Sequence, residues 1–337
     1  MVQYMKFKKV LVIGADGFIG SHLSEKLVKT NFDVTTMVVY NSFGSIGWLN
    51  DLPKKVLREI DIVFGDITDE IFIRNSVKNF DIVFNLAALI SIPHSYISPK
   101  SYLTTNINGT INLLEASRLG NIDRLIHTST SEVYGSALYT PINEEHKLQA
   151  QSPYAASKIS ADHFVESYVK TFNLPIVIHR PFNTYGPRQT ERAIIPSIIR
   201  QCIDKNIKKI TVGNTKTIRD FNYVTDTVNA FIELSTSKNI KFGVPYNSGS
   251  GKGISIQNIL KKILKYTNCK KDVFSKRSLV RPKHSEVLEL ICDASRIRST
   301  THWNNKVDID KGINLTINWW KRNLDKLKNN STKRMLD

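Results

Sequence analysis

Residues 9–20 read KVLVIGADGFIG, a short apolar run that breaks at Gly14, Gly17 and Gly20 and continues into a helical pattern. A strand that turns sharply into a helix needs a residue without a Cβ at the turn, which Gly14 supplies. Gly17 lets a pyrophosphate approach the backbone, and Gly20 lets helix and strand pack closely. The helix start, at Phe18 and Ile19, adds unpaired amides and a partial positive charge. The spacing is G-x-x-G-x-x-G rather than G-x-G-x-x-G, so the flanking strand and helix are what lift the motif above a simple tight turn. A dinucleotide is the expected ligand.

Outward from this loop, β-branched runs alternate with helical stretches as far as Pro181: KVLVIG, DVTTMVV, DIVFGD, DIVFNLAA, RLIHTST and PIVIHRP, with helices expected near 18–30, 68–79, 100–119 and 153–172. Continuous apolar strands of this kind are buried on both faces. The alternation predicts an α/β fold, a Rossmann doubly wound parallel sheet. After RPFNTYGPR the rhythm becomes irregular, with a helix expected near 193–204, a short ITVG strand and a helix near 224–236. The expected organisation is a dinucleotide-binding domain over 1–185, to which 218–248 returns, an interleaved smaller C-terminal substrate-binding domain over 186–330, and a tail at 331–337. Ligands of open α/β sheets lie beyond the carboxyl ends of the strands, so the smaller domain should close over that edge. A second glycine cluster, NSGSGKG at 247–253, has Gly253 where a triphosphate loop requires Ser or Thr and lacks the upstream glycine. It reads as a loop before a helix.

Among the 337 residues, 41% are apolar and 23% charged, the balance of a globular protein, and no run reaches the roughly 18 uncharged apolar residues of a membrane span. Cys202, Cys269 and Cys292 are too few and too scattered for a disulfide framework or a cysteine metal site. The eight histidines show no metal-ligand spacing, so no metal is expected, and His94 and His179 are assigned no role. A formal net charge of +17 attracts nucleic acid, anionic membrane or phosphorylated small molecules. The basic residues are spread along the chain and the dense tract KNNSTKR looks like a solvated tail, so no nucleic-acid and no membrane partner is expected. The start, MVQYMKFKKVLVIG, has no small-residue cleavage site and reads as a first strand, which with the scarce cysteines fits the cytoplasm.

Ribose specificity is usually set at the end of the second strand, where a carboxylate favours NAD and an arginine NADP. The stretch VVYNSFGSIG offers neither charge, only Tyr40, Asn41, Ser42 and Ser45. NAD is the expected cofactor, with NADP as the alternative. Asp66 and Ile67, after the third strand, are candidates for flanking the adenine.

The helix that starts at SPYAASK carries Tyr154 and Lys158 four residues apart, hence on one face. A phenol, with an ordinary pKa of about 10, becomes a base at neutral pH when an ammonium and an oxidised nicotinamide stabilise the phenolate. Lys158 supplies that charge and is placed to bind the nicotinamide ribose. The pair follows the glycine loop by about 135 residues, and just upstream the fifth strand runs into Thr128, Ser129, Thr130, Ser131 and Glu132 on the edge where the cofactor must lie.

Glycine loop, NLAA (Asn85, Leu86, Ala87, Ala88), strand-end Ser/Thr and YAASK together resemble the extended short-chain dehydrogenase/reductase family, over nearly the whole chain. RPFNTYGPR and IRDFNYVTD resemble its nucleotide-sugar epimerases, dehydratases and decarboxylases. The resemblance implies that Leu86, Ala87 and Ala88 line the cofactor, that Thr130 hydrogen-bonds the sugar 4-hydroxyl, and that Tyr154 takes its proton while hydride leaves carbon 4. Glu132 is then placed to remove the carbon 5 proton and to assist loss of water from carbon 6. Dehydratases acting on thymidine-linked glucose carry Thr-Asp-Glu, whereas Thr130, Ser131 and Glu132 are similar to dehydratases acting on GDP-mannose. One glutamate, or a water held by Ser131, then has to protonate the departing hydroxyl.

YNSFGSIGWL, LAALISIPHSY, HTSTSEVYG and RPFNTYGPRQ most closely resemble the 4,6-dehydratases of legionaminic acid biosynthesis, which implies nucleotide-linked N-acetylglucosamine as substrate, with GDP as the nucleotide. Arginine grips a diphosphate through paired hydrogen bonds. Arg188, Arg219 and Arg281 are the candidates, and Asn183 matches a polar contact to the phosphates or sugar. A 4-epimerase or a uronic-acid decarboxylase shares the first oxidation and stays open as the alternative, as does a cofactor-binding protein that uses its basic surface to hold RNA or another partner without catalysis. The helices near 100–119 and 153–172 resemble those that form a four-helix dimer interface in the family, and the resemblance implies a homodimer, with a tetramer as the alternative.

Overall fold

A computed structural model describes residues 8–329, so the 331–337 tail lies outside the described residues. The six expected strands form: β1 (Lys9–Ile13), β2 (Asp33–Val38), β3 (Ile60–Phe64), β4 (Ile82–Asn85), β5 (Arg124–Thr128) and β6 (Ile176–Pro181). All pair in parallel, in the order β6-β5-β4-β1-β2-β3. A seventh strand, Pro245–Ser248, adds to the outer edge of β6. The chain winds outward from β1 to β3 and then crosses back to β4, so the β1/β4 gap is the switch point where a ligand cleft opens.

Burial on both faces is explicit. Val10, Val12, Val34, Phe84, Ile126 and Val177 point to one side, among Leu23, Leu27, Phe231 and Leu234 of helices Phe18–Lys29 (α1) and Val224–Thr236. Leu11, Ile13, Met37, Val83, Leu125 and Ile176 point to the other, among Leu113, Leu114 and Val165 of helices Gly109–Leu119 and Pro153–Phe172. Each strand thus contributes alternate residues to two helix layers, the Rossmann arrangement.

Two elements differ from the sequence expectation. The stretch near 100–119 is not one helix: Pro99–Tyr102 runs into a π-helical turn, Leu103–Asn108, before Gly109–Leu119, and a further helix, Ile92–Ile97, precedes it. The wider turn carries the buried Asn106, which accepts from Leu89 N at 2.9 Å and donates to Leu89 O at 3.0 Å. The second difference is the seventh strand, PYNS, short and half polar. Its proline is tolerated because it opens an edge strand, and its polar side chains are bonded: Asn247 accepts from Tyr134 Oη at 2.7 Å, and Ser248 Oγ meets His179 Nε2 at 2.7 Å.

A smaller sheet joins Gly253–Ser255 antiparallel to Ile218–Tyr223, which also pairs in parallel with Glu289–Leu290 and with Asn183–Tyr185. Of the returning stretch, then, Ile218–Tyr223 belongs to the smaller sheet, whereas Val224–Thr236 and Pro245–Ser248 complete the main layers. The second glycine cluster is explained here. Asp220, buried, accepts from Ser250 N, Ser250 Oγ, Gly251 N and Cys292 N, so the anion cradled by this loop is the chain's own carboxylate.

Candidate active site

The glycine loop lies at the carboxyl end of β1. Gly14 has φ +80°, and a Cβ there would stand 2.8 Å from Ala87 N. A Cβ on Gly20 would stand 2.3 Å from Gly14 O, whereas one on Gly17 would meet only Gly14 O, at 3.3 Å. The chain's own packing therefore demands Gly14 and Gly20, while Gly17 keeps an open side. Gly17 also begins α1 without a side-chain cap, no acidic residue follows in the first turn, and the first helical bond is Ser21 N to Gly17 O. The amides of Phe18, Ile19 and Gly20 have no acceptor within the helix. Free donors at a helix N-terminus beside an open glycine fit a diphosphate.

Leu86 and Ala87 close the other wall of this loop: Leu86 N donates to Ile13 O at 2.9 Å, and Ala88 follows, half-buried. The remaining expected cofactor contacts are less uniform. Tyr40 is 72% exposed beside an exposed Ser42. Asn41 is spent on its own turn, accepting from Ser45 N at 2.9 Å and donating to Ser45 O at 2.8 Å. Asp66 is exposed and accepts from Thr68 N and Oγ1, both at 2.8 Å. Ile67 is buried against Gly109.

Ser152 caps the helix Pro153–Phe172, accepting from Ala155 N, and Pro153 occupies the first turn, where its missing N–H costs nothing. One turn in, Tyr154 and Lys158 are both buried. Lys158 Nζ donates to Thr128 O at 2.6 Å, which ties the ammonium to the end of β5. Burial pushes the Lys158 ammonium down to about 8, with Asp162 opposing the fall. Burial also raises the Tyr154 phenol well above its ordinary value; the hydroxyl of Thr130 counteracts this and the charge of Glu132 reinforces it. Without further positive charge the phenol stays protonated at neutral pH.

Past β5, Thr130 Oγ1 accepts from Glu132 N at 3.3 Å and starts the short turn Ser131–Tyr134, closed by Gly135 at φ +63°. Ser131 is buried and Glu132 mostly so. Sequence, helix and turn thus bring Thr130, Glu132, Tyr154 and Lys158 together.

The candidate substrate residues separate. Arg281 Nη1 stands 3.6 Å from the Glu132 carboxylate and makes no hydrogen bond. Arg219 is nearby but buried and committed, donating to Val287 O at 2.7 Å and Ile218 O at 2.9 Å. Asn183 lies in the smaller sheet with its Oδ1 buried and unpaired. Arg188 is not brought to this place: it lies against α1, with its guanidinium on Glu25 and, at 3.4 Å, on Ser21 Oγ. The half-buried carboxylate of Glu25, on α1, pairs with that guanidinium.

The segment carrying Arg281 is tied down over the site by Ser285, which meets Tyr96 Oη at 2.6 Å and donates to Gln151 O at 2.5 Å. Behind the site, sequence reasoning missed Asp162 and Arg180 and placed Ser129 only in the hydroxyl-rich strand end; the readable signal was the spacing of Asp162, one turn past Lys158. The structure also brings Cys202 beside Cys269, though both are free thiols. Among the described residues no cluster of His, Cys, Asp or Glu could hold a metal ion, and no helix is long and apolar enough to cross a membrane.

Residues 11–316 match the family described as GDP-mannose 4,6 dehydratase. The chain belongs to this family. It is similar to human dTDP-D-glucose 4,6-dehydratase, 30% identical over 329 residues that cover 96% of this chain and 92% of that protein. Its fold is similar to a dTDP-glucose 4,6-dehydratase of Bacillus anthracis solved in complex with NAD (TM-score 0.82, 25% identity, 94% and 98% of the two chains). It is also similar to a UDP-glucose 4-epimerase of Thermotoga maritima solved with UDP-glucose (TM-score 0.83, 26% identity, 94% and 99%). The fold of this chain is thus shared by a 4,6-dehydratase and by a 4-epimerase.

Proposed function

We propose that this chain is an NAD-dependent nucleotide-sugar 4,6-dehydratase, acting on a nucleotide-linked N-acetylglucosamine with GDP as the nucleotide. The observation that carries the reading is the placement of Glu132 in the turn that Thr130 begins, electrostatically coupled to the phenol of Tyr154. A 4-epimerase needs Tyr154 and Thr130 but no second base.

The open side of Gly17 with the amides of Phe18 and Ile19 would hold the diphosphate of NAD, and Lys158 its nicotinamide ribose. When bound, NAD supplies the hydride acceptor for carbon 4 and the donor that returns the hydride. Tyr154 takes the proton of the 4-hydroxyl, oriented by Thr130, as the carbon 4 hydride departs; the ammonium of Lys158 offsets the phenolate charge. Glu132 then removes the carbon 5 proton, acidified by the new ketone, and delivers a proton to the carbon 6 oxygen, which leaves as water. Glu132, a carboxylate again, takes up a proton from solvent and passes it to carbon 5, balanced by release of the proton that Tyr154 accepted. Hydride returned to carbon 6 completes the 4-keto-6-deoxy sugar, so that the net change is loss of one water. Arg281 is best placed of the arginines to meet the substrate diphosphate, with Asn183 beside the smaller sheet as a polar contact. Legionaminic acid biosynthesis is the pathway this substrate suits.

Likeness to the Thermotoga maritima epimerase supports a second reading, 4-epimerisation of the same class of substrate. Incubation with GDP- and UDP-linked N-acetylglucosamine decides between them by mass: loss of one water supports dehydration, whereas unchanged mass with an altered carbon 4 configuration overturns it. A homodimer through the helices Gly109–Leu119 and Pro153–Phe172 belongs to the same reading. Their exposed Leu119, Phe164 and Phe172 support it, and Phe164→Glu should halve the mass found by light scattering.

A further inference from the structure

Behind Tyr154 and Lys158 lies a buried polar network that the chemistry above does not use. Asp162 follows Lys158 by one helical turn and is wholly buried. Its Oδ2 accepts from Ser129 Oγ at 2.8 Å and from Arg180 Nε at 3.0 Å and Nη2 at 2.9 Å. Arg180, from β6, goes on to donate to Tyr134 Oη at 3.1 Å and lies over the Tyr134 ring. Ser129 and Tyr134 flank Thr130 and Glu132 in the chain. One carboxylate therefore connects the helix that carries the Tyr154–Lys158 pair, the end of β5, and the turn that carries Glu132.

The charges facing this network can be counted from each element packed on it. Arg180 enters from β6, and Lys158 and Tyr154 from the helix itself. From β5, His127 Nε2 stands 3.6 Å from Asp162 Oδ1, but burial and the nearby Lys158 keep this imidazole neutral. Glu132 acts from the turn, on the Tyr154 side. Two cations, Lys158 and Arg180, thus share one wholly buried anion. A cation without a compensating anion in such a place is strongly disfavoured, and an ammonium relieves this by losing its proton.

We propose that Asp162 is a positioning residue of this site: its negative charge keeps Lys158 an ammonium beside Arg180, and its hydrogen bonds hold the Thr130–Glu132 turn in register with the catalytic helix. Burial works to raise the Asp162 carboxyl, yet the charge of Arg180 above all, with that of Lys158, holds it down at about 2, so the charge is present throughout the working pH range. A purely structural role would need only the hydrogen bonds, which an amide largely keeps. The hold on the turn stands on the contacts, and the hold on Lys158 on the one-turn spacing and shared burial of the two side chains; the consequence for turnover rests on the function proposed above.

The test titrates Lys158 itself and needs no substrate. Protein labelled with 13C at lysine Cε is followed by NMR from pH 6 to 11, the Lys158 resonance being identified by its absence in Lys158→Met. Asp162→Asn should move the Lys158 midpoint down by a pH unit or more, a tenfold change in proton affinity. Arg180→Gln, which removes the competing cation, should move it up. An unmoved midpoint in folded Asp162→Asn overturns the proposal. Should that variant fail to fold, Arg180→Gln decides, an upward shift supporting the proposal and an unmoved or lowered midpoint overturning it. Absence of dehydratase or epimerase activity alongside the expected shifts would refute the proposed reaction and leave the role of Asp162 standing.

Discussion

Lys158 reaches across from its helix to donate to the carbonyl of Thr128 at 2.6 Å, two residues before the hydroxyl of Thr130. The contact fixes where the ammonium sits relative to Tyr154 and leaves that phenol, raised by burial, dependent on added positive charge for ionisation. Tyr154→Phe should therefore lower the rate of carbon 4 oxidation on the order of 10²–10⁴-fold, the usual worth of a positioned acid or base. NAD affinity, measured by calorimetry, should change little. Lys158→Met should lose both, because the same side chain serves the phenol and the ribose.

Two glycines of the first loop, Gly17 and Gly20, should fail differently. Gly20→Ala drives a Cβ to 2.3 Å from the Gly14 carbonyl oxygen, a backbone atom that cannot swing away. A loss of about 1–3 kcal/mol of stability, typical of overpacking, should follow in urea melts. Gly17→Ala meets only one atom, at 3.3 Å, and should fold nearly as well as the natural protein while binding NAD at least tenfold more weakly. Equal losses of stability in the two variants would contradict the assignment of Gly17 to the ligand.

Histidines held neutral by removal from water make stability depend on mild acid, His22 and His179 among them. Burial lowers His22 to about 4, with Arg188 adding to the fall and the bond to Pro187 O opposing it, and burial lowers His179 to about 3. Unfolded, each takes a proton near 6.5. Between those values the unfolded chain holds more protons than the native one, so each histidine contributes a stability that rises with pH, by about 1.4 kcal/mol per pH unit. His22→Gln, compared with the natural protein in urea melts at pH 5 and pH 6, should show a slope of stability against pH smaller by about that amount. An unchanged slope would mean that His22 is solvated in the native state.

Much of this arrangement was legible before any coordinates. β1 to β6 are short, apolar and punctuated by glycine or polar ends, so their period and burial agree, and Thr130, Glu132, Tyr154 and Lys158 sit near strand and helix ends whose place in a doubly wound sheet follows from topology. The seventh strand was not legible, because Asn247 and Ser248 are polar residues made buriable only by Tyr134 and His179, far away in sequence. The pairing of Arg188 was illegible for a related reason: a lone arginine in a loop carries no sign of the partner, Glu25, that it meets on α1. Asp220 shows the same limit, since a glycine-rich loop looks alike whether its amides hold a ligand or a carboxylate of the chain itself.

Glu132 separates the two reactions most sharply, because it is required only after the first hydride has moved. In Glu132→Gln the phenol, the ammonium and the Thr130 hydroxyl are untouched, and the amide preserves the shape of the turn that Thr130 caps. Oxidation at carbon 4 should proceed, but the carbon 5 proton should stay, so reduced cofactor should accumulate on the enzyme and absorb in a single turnover. Formation of the dehydrated product should fall on the order of 10²–10⁴-fold, as for loss of a general base. Exchange of the carbon 5 hydrogen with deuterated solvent, read by NMR, gives an independent measure: the natural enzyme should exchange it and the variant should not. A variant that still yields dehydrated sugar at the natural rate would remove Glu132 from the chemistry, whereas retained epimerisation without any water loss in either protein would assign the chain to the epimerase branch.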